Sequence, residues 1–556
     1  MREFPAGMTT APGRGRARAR WRWLLLAAVA CAPACKLNQQ GVSPPLDRIA
    51  FPASALVDPD GRWLYVANSN SDLRYNNGTL VAVDLDAATQ DRFAPVAPDH
   101  TPITWPVCPA ADRVRPDSVD VHAFPADEFP CCWDFLDHTI LNCDERLYIP
   151  PASTVKIGSF ASGMAFQSFA EPACDPNLPP AQAMNALRNG ARTRHECNAN
   201  CPGDPVNGRL FIGIRGNSSL TYVDTGREAD PSLGTRPRFS GISCVTPGSA
   251  VPDVCSVTEQ PPPKSPANTD PPIHVPDEPY ALVLDQSKDL LYVGNLRGDT
   301  AHPQTGGISL FDVRRPDPTI SQPEFIGPSA SFFNPDINGQ FGITSLTLRD
   351  NGVVYASSRY GTNVVNVLPT LDGQCDQSHD MISLVAGSDV YTTPLAGAEI
   401  RGIQFLPDAN GVPGAPGTAS RAFVLQRSPP ALVVFDASTD PRAFGNFPSD
   451  VLETCAGPTF LQSFDSGEGT RLYVTCFDQG QIYVFDPYVP KLISIINAGR
   501  GPAGLAFPPT LRPDRPTLAY IVGFSANDIP VLDIRPGSPT QYHVVQRIGF
   551  PSLEPR

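Results

Sequence analysis

Seven times along the chain, an apolar run built around one aromatic residue is followed, after a polar gap, by a second apolar run that closes on Asp or Asn. The aromatics are Tyr65, Phe211, Tyr292, Tyr355, Phe423, Tyr473 and Tyr520, and the closing residues are Asp84, Asp224, Asp312, Asn366, Asp436, Asp486 and Asp533. In four of the seven repeats the two landmarks lie thirteen residues apart. That spacing leaves room for a turn between two strands and none for a helix, so each unit reads as a β-hairpin. Hairpin repeats bury their faces only by stacking on one another, and radial stacking makes each repeat one blade of a β-propeller. The expectation is an all-β, seven-bladed β-propeller.

Composition agrees with that reading. The 63 Pro and 44 Gly residues disfavour long helices, and 41% hydrophobic residues supply ample apolar surface. A radial array grows by repetition, so 556 residues need no second core. The formal charge of −14 argues against nucleic acid as a partner, because phosphate binding needs a basic face.

Residues 1–35 read as an export signal, with Arg14 to Arg22 as the basic region and Trp23 to Ala30 as an apolar core too short to span a bilayer. Ala28-Val29-Ala30-Cys31 suits ordinary signal peptidase and also resembles a lipoprotein signal with lipidation at Cys31, and Ala32-Pro33-Ala34-Cys35 offers a competing cleavage site; lipidation and plain cleavage both stay open. Residues 36–45 form a tether, and 46–556 the propeller. Membrane contact is expected only through such an N-terminal lipid. The twelve later cysteines, an even number in an exported chain, point to disulfides rather than a metal.

Spacing between successive aromatics falls from 146 residues at the N-terminus to 47 at the C-terminus, so the early blades carry the elaboration. Two insertions, 86–153 and 225–277, hold six of the twelve cysteines and are expected to be disulfide-stapled flaps over the propeller. The C-terminal repeat is plainest, with strands expected at 459–464, 471–475, 481–486 and 491–496, and a strand exchange expected to join the chain ends.

Here the motif Leu472-Tyr473-Val474-Thr475-Cys476, the Val484-Phe485-Asp486 closure and Gly499-Arg500-Gly501-Pro502 resemble the YVTN-type β-propeller repeat. Leu64 to Asn68 and Leu291 to Asn295 are looser copies. The resemblance implies a seven-bladed, extracytoplasmic propeller of the surface-layer and lactonase-like group, and it constrains fold more than function. Cys476 stands where that repeat usually has Asn, and pairing with Cys455 accounts for the departure. Cys244 with Cys255 is a second expected bridge.

In a propeller, the loops joining the second and third strands of each blade surround the channel mouth together with the lead-ins to the innermost strands. Arg215, Arg297, Arg359 and Arg427 recur in those loops at nearly one offset from the aromatic landmark, with Arg74 in a longer loop of the first repeat. Superposed blades would gather them into an arc able to hold an anion by bidentate contacts, although each could equally pair with a local carboxylate. His274, Glu278, Glu399 and Arg401 sit near the inner-strand lead-ins. Their chemistry would suit calcium or acid–base work on a lactone, and so would an ordinary solvated strand end. The sequence calls for no cofactor and leaves a divalent cation open.

The preferred function is a non-catalytic, exported cell-envelope binding or protein-interaction module. It would present its loop face to an anionic small molecule, a glycan or another envelope protein. The alternative is a lactonase-like hydrolase with a metal or carboxylate site at the channel mouth.

Overall fold

The computed structural model describes residues 42–95, 102–108, 131–150, 153–168, 206–216, 218–230, 234–239, 278–286, 289–297, 307–313, 324–328, 342–349, 353–359, 363–370, 383–392, 399–407, 420–437, 448–509, 511 and 515–550. Among them the chain forms seven sheets, six of four strands and one of six. Their innermost strands are Pro52–Val57, Ala161–Ser168, Pro279–Asp285, Ile343–Leu348, Ile400–Pro407, Pro458–Asp465 and Pro502–Ala506, and the sheets are numbered 1 to 7 in that order. Each inner strand packs against the next, and the last packs back on the first, so the sheets close around one axis. The fold is a β-propeller.

The second strand of each sheet carries the aromatic landmark, and its geometry explains why the sequence signal is so strong. Trp63–Asn68, Leu290–Asn295 and Leu518–Gly523 are buried at all six positions. Sheets cover these strands on both faces, so they read as unbroken apolar runs rather than alternating ones. By contrast, the outermost strand of sheet 6, Lys491–Asn497, is largely exposed. The landmark rings fasten neighbouring sheets together. Tyr65 stacks on Phe166 of sheet 2 with centroids 6.0 Å apart, Tyr355 lies 4.4 Å from Phe405 of sheet 5, and Tyr473 lies 5.0 Å from Phe507 beside sheet 7. Each such pair contributes roughly 1 kcal/mol beyond its buried area. In sheet 1 a tight turn joins the inner strand to the second, where the Asp58 carboxylate accepts the Arg62 and Trp63 amides at 2.7 and 2.9 Å.

Among the described residues, the chain ends do not exchange strands. Sheet 1 is made wholly from the N-terminal region, and the first four strands of sheet 7 wholly from the C-terminal region. Closure comes instead from the first insertion. Its strand Leu141–Cys143 adds in parallel to His543–Ile548, the fourth strand of sheet 7, and Cys131–Trp133 pairs beyond it. Helix α1, Leu85–Phe93, follows the third strand of sheet 1 and is capped by the Asp84 carboxylate, which accepts the Asp86 and Ala87 amides. Arg92 of this helix donates from Nε to the Val545 carbonyl of sheet 7 at 2.7 Å, and Gln546 donates to the Ala88 carbonyl at 3.1 Å.

The described part of the first insertion is therefore an edge extension of sheet 7 rather than a flap over a face. Disulfides Cys108–Cys132 and Cys131–Cys143 hold it. At the second insertion, strand Ser219–Asp230 runs past the expected boundary at 225 and pairs with Gly234–Phe239, the outermost strand of sheet 2. The Cys244–Cys255 pairing, the leader and Cys31 lie outside the described residues.

The three described disulfides suit an oxidising compartment. Among the described residues, no helix is long and apolar enough to cross a membrane.

Candidate ligand site at the channel mouth

One backbone hydrogen bond recurs in all seven sheets and makes their loops comparable residue by residue. The fourth residue after each aromatic landmark donates its amide to the carbonyl of the residue that leads into the inner strand. The pairs are Ser69 to Phe51, Arg215 to Phe160, Leu296 to Glu278, Arg359 to Gly342, Arg427 to Glu399, Phe477 to Gly457 and Phe524 to Gly501, at 2.5–3.1 Å. Two rings of equivalent positions therefore circle the mouth. One holds Ser, Arg, Leu, Arg, Arg, Phe and Phe; the other holds Phe, Phe, Glu, Gly, Glu, Gly and Gly.

At the second ring the backbone often turns left-handed, with φ of 66° and 61° at Gly457 and Gly501. Glycine adopts that conformation without strain. Glu278 occupies the equivalent position in sheet 3 at φ 59°, which costs a non-glycine residue about 1 kcal/mol or more. Phe51 and Phe160 hold the same ring position in sheets 1 and 2 at φ 51° and 60°, so the left-handed turn is shared around the ring and what sets Glu278 apart is its carboxylate.

The carboxylates gather the arginines. Arg215 of sheet 2 bonds Glu278 from Nη2 at 2.6 Å, and Arg297 of sheet 3 reaches the same carboxylate from Nε at 3.1 Å. Glu399, leading into sheet 5, is shared by three cations. Arg401 donates to it from Nη2, Arg359 of sheet 4 lies 3.3 Å away, and Arg427 lies 3.8 Å away. Arg427 also lies 3.7 Å from Asp478 of sheet 6. All four loop arginines and both glutamates singled out in the sequence thus enter one arc across sheets 2 to 6, together with Arg401. They pair between sheets and not only within their own loops. Arg74 pairs instead with Asp72 in its own loop, at 3.1 Å. His274 lies outside the described residues.

Among the described residues, five guanidinium groups and three carboxylates make up this arc. Arg401 is the most enclosed, with its side chain 9% exposed. Burial draws its guanidinium below the ordinary arginine range, and its Nε, like that of Arg215, is buried without a hydrogen-bond partner. Among the described residues, no three His, Cys, Asp or Glu side chains converge as a metal site would require.

Below the mouth, the inner strands of all seven sheets line a cavity of about 1040 Å3. Arg215, Arg401, Arg427 and Asp478 lie on its wall with Phe160, Phe477 and Phe524. Sequence reasoning missed Phe477, Asp478 and Phe524, although a signal was present. Reading the fourth position after the landmark in every repeat, rather than only where it holds Arg, would have found both phenylalanines. Disulfide Cys455–Cys476 buttresses that side of the rim, joining the approach to sheet 6 to the residue before Phe477.

The ring of sheets places the chain in the β-propeller class. No model of a known protein family matches the sequence, and no curated protein matches it. Among solved structures it is similar to the β-propeller domain of Cps50 (Swd1) from Myceliophteria thermophila, at 9% identity and a TM-score of 0.39, covering 88% of this chain and 97% of that one. It is also similar to a protein from Bacteroides uniformis assigned as a 6-phosphogluconolactonase, at 12% identity and a TM-score of 0.37, covering 82% of this chain and 88% of that one.

Proposed function

We propose that this is an exported, YVTN-type propeller of seven blades, the six-stranded sheet being the seventh, and that it binds an anionic ligand at the channel mouth without transforming it. The observation that carries the reading is the arc of five arginines on three carboxylates at the opening of the cavity. Each guanidinium is positioned by a carboxylate, and Arg215, Arg401 and Arg427 also line the cavity, where a guest can reach them. An anion would displace or bridge the outer contacts of Arg215 and Arg427, which line the cavity and are 36% and 29% exposed. On a protein of charge −14 such an arc also concentrates anions at one place. A hydrolytic role for Glu278 and Glu399 fits less well, because each is already paired with two or three guanidinium groups and is poorly placed to take a proton from water.

The test is calorimetric titration of the intact mature chain with succinate and inorganic phosphate, for the native protein and for Arg427→Ala and Arg215→Ala. Loss of one charge-assisted contact should weaken binding about tenfold per variant, and affinity should fall as salt is raised. Native affinity that both variants retain would refute the reading. Export is tested separately by mass spectrometry of the mature N-terminus, expected to begin at Cys31 or Cys35, with added lipid mass only in the first case.

A further inference from the structure

The mouth has two unlike sides, and the second side specifies more than charge. At the position where sheets 2, 4 and 5 carry Arg215, Arg359 and Arg427, sheets 6 and 7 carry Phe477 and Phe524, fixed by the same backbone hydrogen bond. Neither ring is fully buried. Their centroids are 6.1 Å apart, and Phe51, which leads into sheet 1, lies 6.0 Å from Phe524. Three aromatic rings thus continue the rim through sheets 6, 7 and 1.

The two arcs meet at a defined point, since Arg427 pairs with Asp478, the residue next to Phe477. At the other end, Arg215 lies over the ring of Tyr280, 5.8 Å from its centroid, and donates its amide to the carbonyl of Phe160. Beneath the rim the wall includes Met164, Leu282, Phe460 and Leu505. A simple anion would use only one arc and leave these partly exposed rings and the apolar part of the wall without a partner.

We infer that the ligand is an aromatic carboxylate, its carboxylate held by Arg427 and Arg401, which share Glu399, and its ring laid against Phe477 and Phe524 toward the apolar part of the wall. This rests on the anion-binding reading above and narrows it. A forked guanidinium matches a carboxylate in two parallel hydrogen bonds, and a flat ring gains from offset or edge contacts with phenylalanine that an aliphatic acid lacks. The cavity is also within the size range of sites for small organic molecules.

The experiment titrates the intact mature protein with four probes: 2-naphthoate, acetate, inorganic phosphate and the uncharged 2-naphthamide. The expected result is that 2-naphthoate binds at least about tenfold more tightly than each of the others. Acetate or phosphate binding as well as naphthoate would overturn the aromatic inference while leaving the anion reading in place. Naphthamide binding as well as naphthoate would overturn the anion reading, and silence from all four probes would overturn both. In Phe477→Leu and Phe524→Leu, which keep apolar volume, the preference for naphthoate over acetate should shrink several-fold in each with acetate affinity unchanged. An unchanged preference in both, with native-like thermal unfolding, would remove the rings from the site.

Discussion

Sheets 3 and 5 lead into their inner strands with a glutamate, whereas sheets 6 and 7 lead in with a glycine, although the same backbone hydrogen bond is made in all four. The glycines follow local economy, for at Gly457 and Gly501 the backbone is left-handed and an added Cβ would meet Asp478 Oδ2 at 2.0 Å and Ser525 Oγ at 2.4 Å. The glutamates answer to something outside their own turn, because each carboxylate ties arginines from neighbouring sheets into a cluster of its own. One side of the mouth is thus set by backbone geometry and a covalent staple, the other by charge. The two glutamates also differ from each other. Glu399 supports the enclosed Arg401, while Glu278 holds Arg215 and Arg297, which are 36% and 72% exposed.

The sharpest break in this comparison is Glu399→Gln. It keeps the side-chain shape but leaves Arg401, 9% exposed, without its carboxylate, and stranding one member of an enclosed ion pair costs about 4 kcal/mol. Thermal or urea unfolding should show a large loss of stability, while succinate binds more tightly at temperatures where the variant is folded, because the cluster gains a positive charge. Weaker succinate binding would mean that the carboxylate helps to receive the ligand and that the guanidinium groups alone do not define the site.

On the opposite side, Cys455→Ser with Cys476→Ser should cost about 3 kcal/mol, the loop-closure entropy of a bridge spanning 21 residues. The loss should match that caused by reducing the native protein at this bridge. Since the staple sits beside Phe477, the double variant should also lose part of its preference for a ring-bearing anion, with acetate binding retained. Equal loss for acetate and naphthoate would show that the two sides of the mouth are mechanically coupled.

How much of this could be read from residues alone follows the same division. The hairpins were legible because the second strand of each sheet is covered on both faces, which makes runs such as Leu290 to Asn295 and Leu518 to Gly523 continuous and hard to miss. Three members of the arginine arc, Arg215, Arg359 and Arg427, were legible because ring equivalence fixes one offset from the landmark, and Arg297 lies one residue beyond it. The pairing within the arc was not, since Arg215 and Glu278 are 63 residues apart and meet only because each sheet's lead-in lies beside the preceding sheet's loop. Strand Leu141–Cys143 was also hidden. Three residues give no periodicity, and their addition to sheet 7 depends on a partner about 400 positions away. The strand exchange expected between the chain ends failed for a related reason, because each terminal sheet completes its own four strands and the insertion supplies the bridge.

The smallest expected effect is the most discriminating. In Glu278→Gly the left-handed backbone is relieved of about 1 kcal/mol of strain, and two ion pairs with partly exposed arginines are lost, each worth less than about 1 kcal/mol in water. These changes oppose one another, so unfolding should shift by no more than about 1 kcal/mol in either direction, in contrast to the large loss at Glu399. Succinate affinity should nevertheless rise, because Arg215 and Arg297 are freed and the cluster becomes more positive. A stability loss as large as that of Glu399→Gln would show that the two glutamates play the same structural part, and that exposure of their partners does not set their worth. A neutral stability with unchanged anion affinity would instead confine ligand contact to Arg401 and Arg427, at the end of the arc nearest the phenylalanines.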